Sequence, residues 1–241
     1  MKETISIQHV SKSFGKKVVL SDVNMSIDEG TIYGFIGPSG AGKTTLVKMV
    51  VGMDRPDQGT IHVLGKKMPN LELLQEIGYM AQSDALYMEL TGRENLNFFA
   101  SLYRLSKMEM KERIDYAANL VNLTADLSKR VSAYSGGMKR RLSLAIALIQ
   151  NPKILILDEP TVGIDPELRF SIWNELLRLK NEERKTIIVT THVMDEAERC
   201  DVIAMVRDGS IIANGSPQQL KDLYQATSFD EVFLYAGRQK P

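Results

Sequence analysis

Gly37-Pro38-Ser39-Gly40-Ala41-Gly42-Lys43-Thr44-Thr45 constrains this chain more than any other stretch, because it fits G-x-x-x-x-G-K-[ST] with suitable neighbours on both sides. Upstream, Thr31 to Ile36 is a short apolar run rich in β-branched and aromatic residues; downstream, Leu46, Val47, Met49 and Val50 recur at helical spacing. Those neighbours predict a loop between a buried strand and a helix. Glycines at 37, 40 and 42 let the backbone turn and bring its N–H groups close to an anion, and the helix start adds a favourable dipole. Lys43 can then reach β- and γ-phosphates, and the Thr44 hydroxyl can ligate magnesium. A glycine-rich turn that matches by chance is the alternative.

Hydrophobic residues make up 44% of the 241 positions and charged residues 25%, which suits an ordinary globular protein of one large domain or two intimate lobes. Thirty basic and thirty acidic side chains cancel, so no global field favours nucleic acid or an anionic bilayer. The start, Met1 to Ile5, lacks the apolar stretch of a signal peptide, and the longest apolar run, Leu142 to Ile149, is too short to span a membrane. A cytosolic location is the expectation. Cys200, the single cysteine, cannot form an internal disulfide and is expected to be inert packing. Twelve scattered methionines read as gap fillers of the core.

Along the chain, apolar and polar residues first alternate (Ile5, Ile7, Val10, then Val19, Val23, Met25, Ile27), predicting an antiparallel pair or small sheet with one packed face. Phe14, at the turn, is either half-buried packing or a platform on which a base could stack. Short strands are expected over 60–64 and 77–81, the second ending at Gln82. The texture then turns helical: Thr91 to Glu94 and Ser106 to Glu109 are capping-box patterns ahead of amphipathic stretches. This lobe closes with Ser135-Gly136-Gly137 leading into a helix over 138–149, stopped by Asn151-Pro152. The run Lys139-Arg140-Arg141 is expected to be a solvated helix face. Strands return at Ile154 to Leu157, a continuous apolar run, and at Thr186 to Thr191. Asp165-Pro166 reads as a helix start, Asp208-Gly209 as a hairpin turn, Ser216-Pro217 as another helix start, and Ser228 as the cap of a short amphipathic helix carrying Phe229, Val232 and Phe233. No internal repeat is visible.

Ligands of open α/β sheets bind beyond the carboxyl ends of parallel strands, and here three apolar runs each lead into a residue fit for phosphoryl chemistry. The first leads into the glycine-rich loop, the second into Asp158-Glu159-Pro160, the third into His192. An apolar run ending in Asp is the pattern in which a carboxylate helps hold magnesium, although an acidic cap would look the same. Glu159 would then face the γ-phosphate, able to orient or deprotonate water, with Pro160 biasing it toward extended backbone. His192 taken alone is an ordinary histidine, and His9 and His62 receive no role.

Taken together, the loop 37–45, Gln82, Tyr134-Ser135-Gly136-Gly137-Met138, Ile154 to Glu159, Gly163-Ile164-Asp165-Pro166 and His192, in this order, resemble the ATPase subunit of ATP-binding cassette (ABC) transporters over nearly the whole chain. The resemblance implies an α/β fold: a P-loop NTPase (RecA-like) core over 1–85 and 151–225, with an antiparallel β subdomain, an inserted helical subdomain over 86–150, and a tail over 226–241. It implies ATP and Mg2+ as ligands, held by Phe14 as the adenine-stacking ring, by Gly37, Pro38, Ser39, Gly40, Ala41, Gly42, Lys43, Thr44 and Thr45, and by Gln82. Thr44, Gln82 and Asp158 become metal contacts, Glu159 and His192 catalytic residues, and Asp165 part of a loop that crosses between subunits. Ser135, Gly136 and Gly137 have their own logic as a small-residue helix start that can grip a γ-phosphate. Their spacing leaves open whose nucleotide is gripped; the resemblance implies the ATP of a second subunit, as in a homodimer. It further implies a separate integral-membrane permease, no nucleic-acid partner, and a peripheral place on the cytoplasmic face of the membrane. The Ser-Gly-Gly-Met form, the stretch 190–197 and the ending Phe229 to Phe233 look most like the branch that exports drugs, lipids or polysaccharides. The rival is a soluble relative acting on nucleic acid or ribosomes. Those usually carry tandem cassettes, a long coiled-coil insertion or zinc motifs. A P-loop kinase or GTPase is a further alternative, but it leaves the Ser-Gly-Gly start and His192 without a role.

Overall fold

A computed structural model describes residues 2–83 and 85–237, so Met1 and the end of the expected tail, 238–241, lie outside the described residues. Two compact units emerge, one built from Met1–Leu73 with Thr186–Pro241, the other from Leu74–Lys185.

In the first unit, β1 (Glu3–Phe14) and β2 (Lys17–Asp28) form the expected antiparallel hairpin, burying Ile5, Ile7, Val10, Val23, Met25 and Ile27. Its register slips between Ile7 and Val10, where His9 and Asp22 adopt left-handed φ values of 52° and 48°. Such a bulge bends the ribbon, and the His9 N–H, lost to the ladder, donates instead to the Asn24 side chain at 2.8 Å. β4 (Gln58–Val63) joins β1 antiparallel and carries the two-residue β5 (Lys66–Lys67) on its other edge. The second layer centres on β3 (Ile32–Ile36), which runs parallel to both β8 (Thr186–Thr191) and β9 (Val202–Arg207), with β10 (Ser210–Gly215) antiparallel on β9. β3 and β8 are buried along their whole length, as strands covered on both faces must be. Close cover has a steric signature at Gly34, where a Cβ would stand 2.8 Å from Cys200 Sγ. Burial holds the Cys200 thiol well above the usual thiol range, in keeping with a packing role.

Helices α1 (Lys43–Val51), α6 (Met194–Ala197), α7 (Pro217–Tyr224) and α8 (Phe229–Ala236) complete this unit. Ser216 and Gln219 close a capping box on α7; Ser228 caps α8, which buries Phe229, Val232 and Ala236 and packs on α6 and α7. The hairpin turn at Asp208 and Gly209 has both φ values positive, 48° and 79°, which matches the right-handed twist of the strands it joins.

The second unit holds a parallel pair, β6 (Ile77–Met80) and β7 (Ile154–Asp158), with the helical lobe between them in sequence. α2 (Gly92–Ser101) and α3 (Lys107–Leu120) each open on the capping box read from the sequence. α4 (Gly136–Leu148) begins two residues earlier than periodicity suggests, because Gly136 and Gly137 enter the helix. It passes so close to β6 that a Cβ on Gly78 would lie 2.1 Å from the Ala147 carbonyl oxygen. α5 (Pro166–Glu183) starts on Asp165, whose carboxylate accepts the Leu168 N–H at 2.9 Å, and lays Ile172, Trp173, Leu176 and Leu179 inward. Tyr87 and Phe99 each meet Phe98 edge to face, and Tyr87 and Phe98 remain exposed.

Trp173 is 1% exposed and supplies the largest fully buried side chain. Trp173→Ala is expected to cost the Leu74–Lys185 unit about 3–5 kcal/mol, read as a lower urea midpoint; a midpoint close to the parent's would mean that the cavity collapses at little cost.

Candidate functional site

β3 and β8 are neighbours in parallel register, Ile36 opposite Thr191, so the glycine-rich loop and His192 leave adjacent strand ends at one level. Gly37 and Gly42 have no room for a side chain. A Cβ would stand 2.0 Å from the Val206 carbonyl oxygen at the first, and 2.7 Å from Leu20 Cδ2 and 2.8 Å from the Val19 carbonyl oxygen at the second. Gly40, at φ 81°, is open on its outer side, and Pro38, Ser39 and Gly40 form an exposed arc. Beneath that arc the Lys43 ammonium, only 6% exposed, donates to the carbonyls of Gly37 at 2.7 Å and Pro38 at 3.0 Å. Ala41 N–H closes the turn on Pro38, and Gly42 takes φ 109° at the head of α1, whose first turn has no acidic residue. Thr44 and Thr45 sit half-buried at that helix start. A helix start with no acidic residue in its first turn, an inward lysine and an outward glycine arc suit a polyphosphate chain.

Phe14 ends β1 with its ring 54% exposed, further along the hairpin from the Val19 and Leu20 that back Gly42. The Lys12 ammonium lies 5.3 Å from its ring centre. About half of the residue is thus covered, and the lysine gives the ring a cation–π partner. His192 is exposed, and its backbone is pinned by a residue that sequence reading passed over. Glu196, 3% exposed, accepts the Thr191 hydroxyl at 2.7 Å, while that same hydroxyl accepts the Val193 N–H at 3.0 Å.

In the other unit, Asp158 closes β7 at 1% exposure, and Glu159 follows it half-buried. The extended backbone expected from Pro160 is not what forms. Glu159 has φ 54°, a left-handed conformation that costs a non-glycine residue about 1–2 kcal/mol and is held only where surroundings enforce it. Gln82 is exposed, with its amide nitrogen 3.5 Å from Glu159 Oε2. Tyr79, beside Asp158, has its phenol pushed up to about 12, first by burial and then by that carboxylate. Ser135 caps α4, its hydroxyl accepting the Met138 N–H at 3.2 Å, and Ser135 and Gly136 are exposed. Tyr134 explains its own place before them. Its hydroxyl reaches the Asp126 carbonyl at 2.8 Å, and its ring end fills the space where Gly92 lacks a Cβ. Asp165 is exposed as the cap of α5.

Charge-run reasoning fails at Arg140, which is 7% exposed and no part of a solvated face. Its guanidinium donates to the carbonyls of Ala81 (2.7 Å), Gln82 (3.0 Å), Glu159 (2.7 and 3.2 Å) and Asp158. Arg141 likewise turns onto the carbonyls of Val121 and Asn122 at the end of α3. Nothing local in the sequence marks these contacts, since each acceptor is a backbone atom far along the chain.

Comparisons with known proteins bear on the fold and the family. A family model described as ABC transporter matches residues 20–162. The Nod factor export ATP-binding protein I of Rhizobium johnstonii is 44% identical over 219 residues, 90% of this chain and 70% of that protein. ABC transporter G family member 23 of Dictyostelium discoideum is 40% identical over 236 residues, which is 95% of this chain but 33% of that protein. Among solved structures, an ATP-binding subunit of an ABC transporter superposes with TM-score 0.90 at 27% identity, covering 97% of this chain and 99% of that one. The dimeric post-hydrolysis state of the cassette MJ0796, bound to ADP and Pi, does so with TM-score 0.82 at 27% identity, covering 88% and 98%.

Gly40→Ala is expected to keep the fold at a cost of about 1–2 kcal/mol, from left-handed backbone alone. Gly42→Ala adds a collision with Leu20 and Val19 and should lower the thermal midpoint by clearly more; equal shifts for the two would refute the steric account of this turn.

Proposed function

The chain belongs to the ABC transporter family of ATPases, and from that premise we propose a residue-by-residue account of how it binds and hydrolyses MgATP and what it drives. The observation that carries the reading is the loop 37–45, an exposed glycine arc over a buried lysine at a helix start. In this account backbone N–H groups of the loop 37–45, to which Pro38 contributes none, hold the β- and γ-phosphates, and Lys43 turns part of its bonding from the loop carbonyls to phosphate oxygen. Phe14 stacks on adenine. Among the described residues no cluster of His, Cys, Asp and Glu could hold a metal by itself. That suits Mg2+, which is ordinarily held by few protein ligands together with substrate phosphates and water. Thr44, Gln82 and Asp158 are the residues proposed to complete its shell. Bound there, Mg2+ would neutralise charge on the β- and γ-phosphates as the bond between them breaks.

Glu159 is the proposed base or orienting group for water, and His192 the proposed contact to the γ-phosphate. Ser135, Gly136 and Gly137 would close on the nucleotide of a second copy, with Asp165 in the loop between the copies. The dimeric cassette among the structural relatives supports that arrangement. A separate permease is the proposed partner, and export the proposed direction, supported by the relative named as an export ATP-binding protein. No helix among the described residues is long and apolar enough to cross a membrane. The proposed place of work is the cytoplasmic face of the membrane, through that permease. Exposed aromatics such as Tyr87 and Phe98 are the kind of surface that a protein partner covers. The rival reading, a soluble ATPase acting on nucleic acid or ribosomes, is not favoured by relatives named as transporters.

Glu159→Gln is expected to retain ATP binding while hydrolysis falls on the order of a hundredfold or more, because the phosphate contacts remain and the carboxylate is gone. Near-normal turnover in a steady-state assay would remove Glu159 from its role. Ser135→Arg is expected to abolish turnover without weakening ATP binding to the monomer, measured with a fluorescent nucleotide. Lost monomer binding would put Ser135 in the nucleotide site of its own chain.

A further inference from the structure

We propose that Arg140 is a positioning residue that couples the Ser135-Gly136-Gly137 helix start to the hydrolytic residues of the same chain. The inference rests on the reading above, in which that helix start grips the partner copy's nucleotide. Arg140 stands early in α4, whose first residues are Gly136 and Gly137, so it moves with that start as a rigid segment. Its side chain meanwhile grips the backbone on either side of Gln82 and Glu159: the carbonyls of Ala81 and Gln82 where β6 ends, and those of Asp158 and Glu159 where β7 ends.

Several features make this more than packing. Guanidinium is a planar fork of fixed donors, so its acceptors are held at set angles to one another; an ammonium is a point charge that cannot span them. The clamped carbonyl of Glu159 belongs to a residue at φ 54°, a conformation that relaxes toward negative φ unless its carbonyl is restrained. The Glu159 carboxylate is therefore aimed by a backbone conformation that Arg140 maintains. Gln82, whose amide lies 3.5 Å from that carboxylate, hangs from a carbonyl on the same fork. When α4 shifts as its start closes on the partner's nucleotide, Gln82 and Glu159 shift together. Each chain thereby arms its own water-activating pair only when it has docked on the other's ATP, which makes hydrolysis cooperative.

The test combines Arg140→Lys and Arg140→Gln with Glu159→Gln. Arg140→Lys keeps the buried charge and loses the fork; kcat is expected to fall about tenfold or more, KM to change by less than about threefold, and the Hill coefficient for ATP to drop toward one. In the Glu159→Gln background the same substitution should cost far less than in the parent, since Arg140 acts chiefly through Glu159 and only the Gln82 part remains; a merely structural arginine would lower both backgrounds alike. Arg140→Gln should lie below Arg140→Lys. Wild-type kcat and cooperativity in Arg140→Lys, or additive losses in the double variant, would overturn the proposal. Hydrogen exchange on the Glu159→Gln protein tests it without touching Arg140. ATP should protect the first turn of α4 and the amides around Gln82 and Glu159 in step, and protection of the helix start alone would overturn the coupling. An ATP-dependent dimer of Glu159→Gln separates the two levels. If it forms and Arg140→Lys behaves as wild type, the coupling alone is wrong; if no dimer forms with or without a permease, the reading beneath it fails as well.

Discussion

A buried ammonium holds the glycine-rich loop in shape. Lys43 is almost wholly covered, and an unpaired cation in that position would cost several kcal/mol, so the chain must bring acceptors to it. It does so with the carbonyls of Gly37 and Pro38, which bends the loop back over the head of α1. The bend is possible only because Gly37 and Gly42 carry no Cβ where β2, Val206 and the loop converge. The loop's carbonyls are thus drawn inward, and its exposed arc is left free to receive an anion.

Elsewhere the chain repeats this solution, pairing covered cations with main-chain oxygen. Arg113 caps the end of α4 on the carbonyls of Leu148 and Ile149, Arg141 the end of α3, and Lys185 the carbonyl of Pro152. Burial pulls the Lys185 ammonium below the usual lysine range, while the nearby Glu183 carboxylate opposes that shift. Cations at helix ends meet carbonyls that lack partners within the helix, so charge and dipole agree. Arg140 differs from Arg113 and Arg141. It grips no helix end but the exits of two strands, and one of its acceptors belongs to a residue in strained backbone.

Much of this was legible in the residues. Alternation gave the β1–β2 hairpin, and two capping boxes, at Thr91 and Ser106, opened helices where they were expected. Those signals survive because each is local: a cap and its acceptor lie three residues apart, and a hairpin pairs neighbours. Glu159 was misjudged for the opposite reason. Pro160 does disfavour helical backbone before it, but the Glu159 carbonyl accepts the Val162 N–H and the guanidinium of Arg140, nineteen residues away in sequence. The burial of Arg140 was invisible for the same cause.

The sequence by itself determined the kind of chemistry: a glycine-rich loop, an acidic strand end, a histidine at another strand end and a Ser-Gly-Gly helix start, in an order that chance rarely supplies. Residue type and spacing suffice there because phosphate binding draws on backbone N–H groups and a few fixed side chains. Tertiary structure alone decided how those parts are held, which glycines are sterically obligatory, which arginine of a basic run turns inward, and what keeps Glu159 left-handed. The physical reason is that each of these depends on carbonyls and side chains brought together by packing, whose partners no sequence period records.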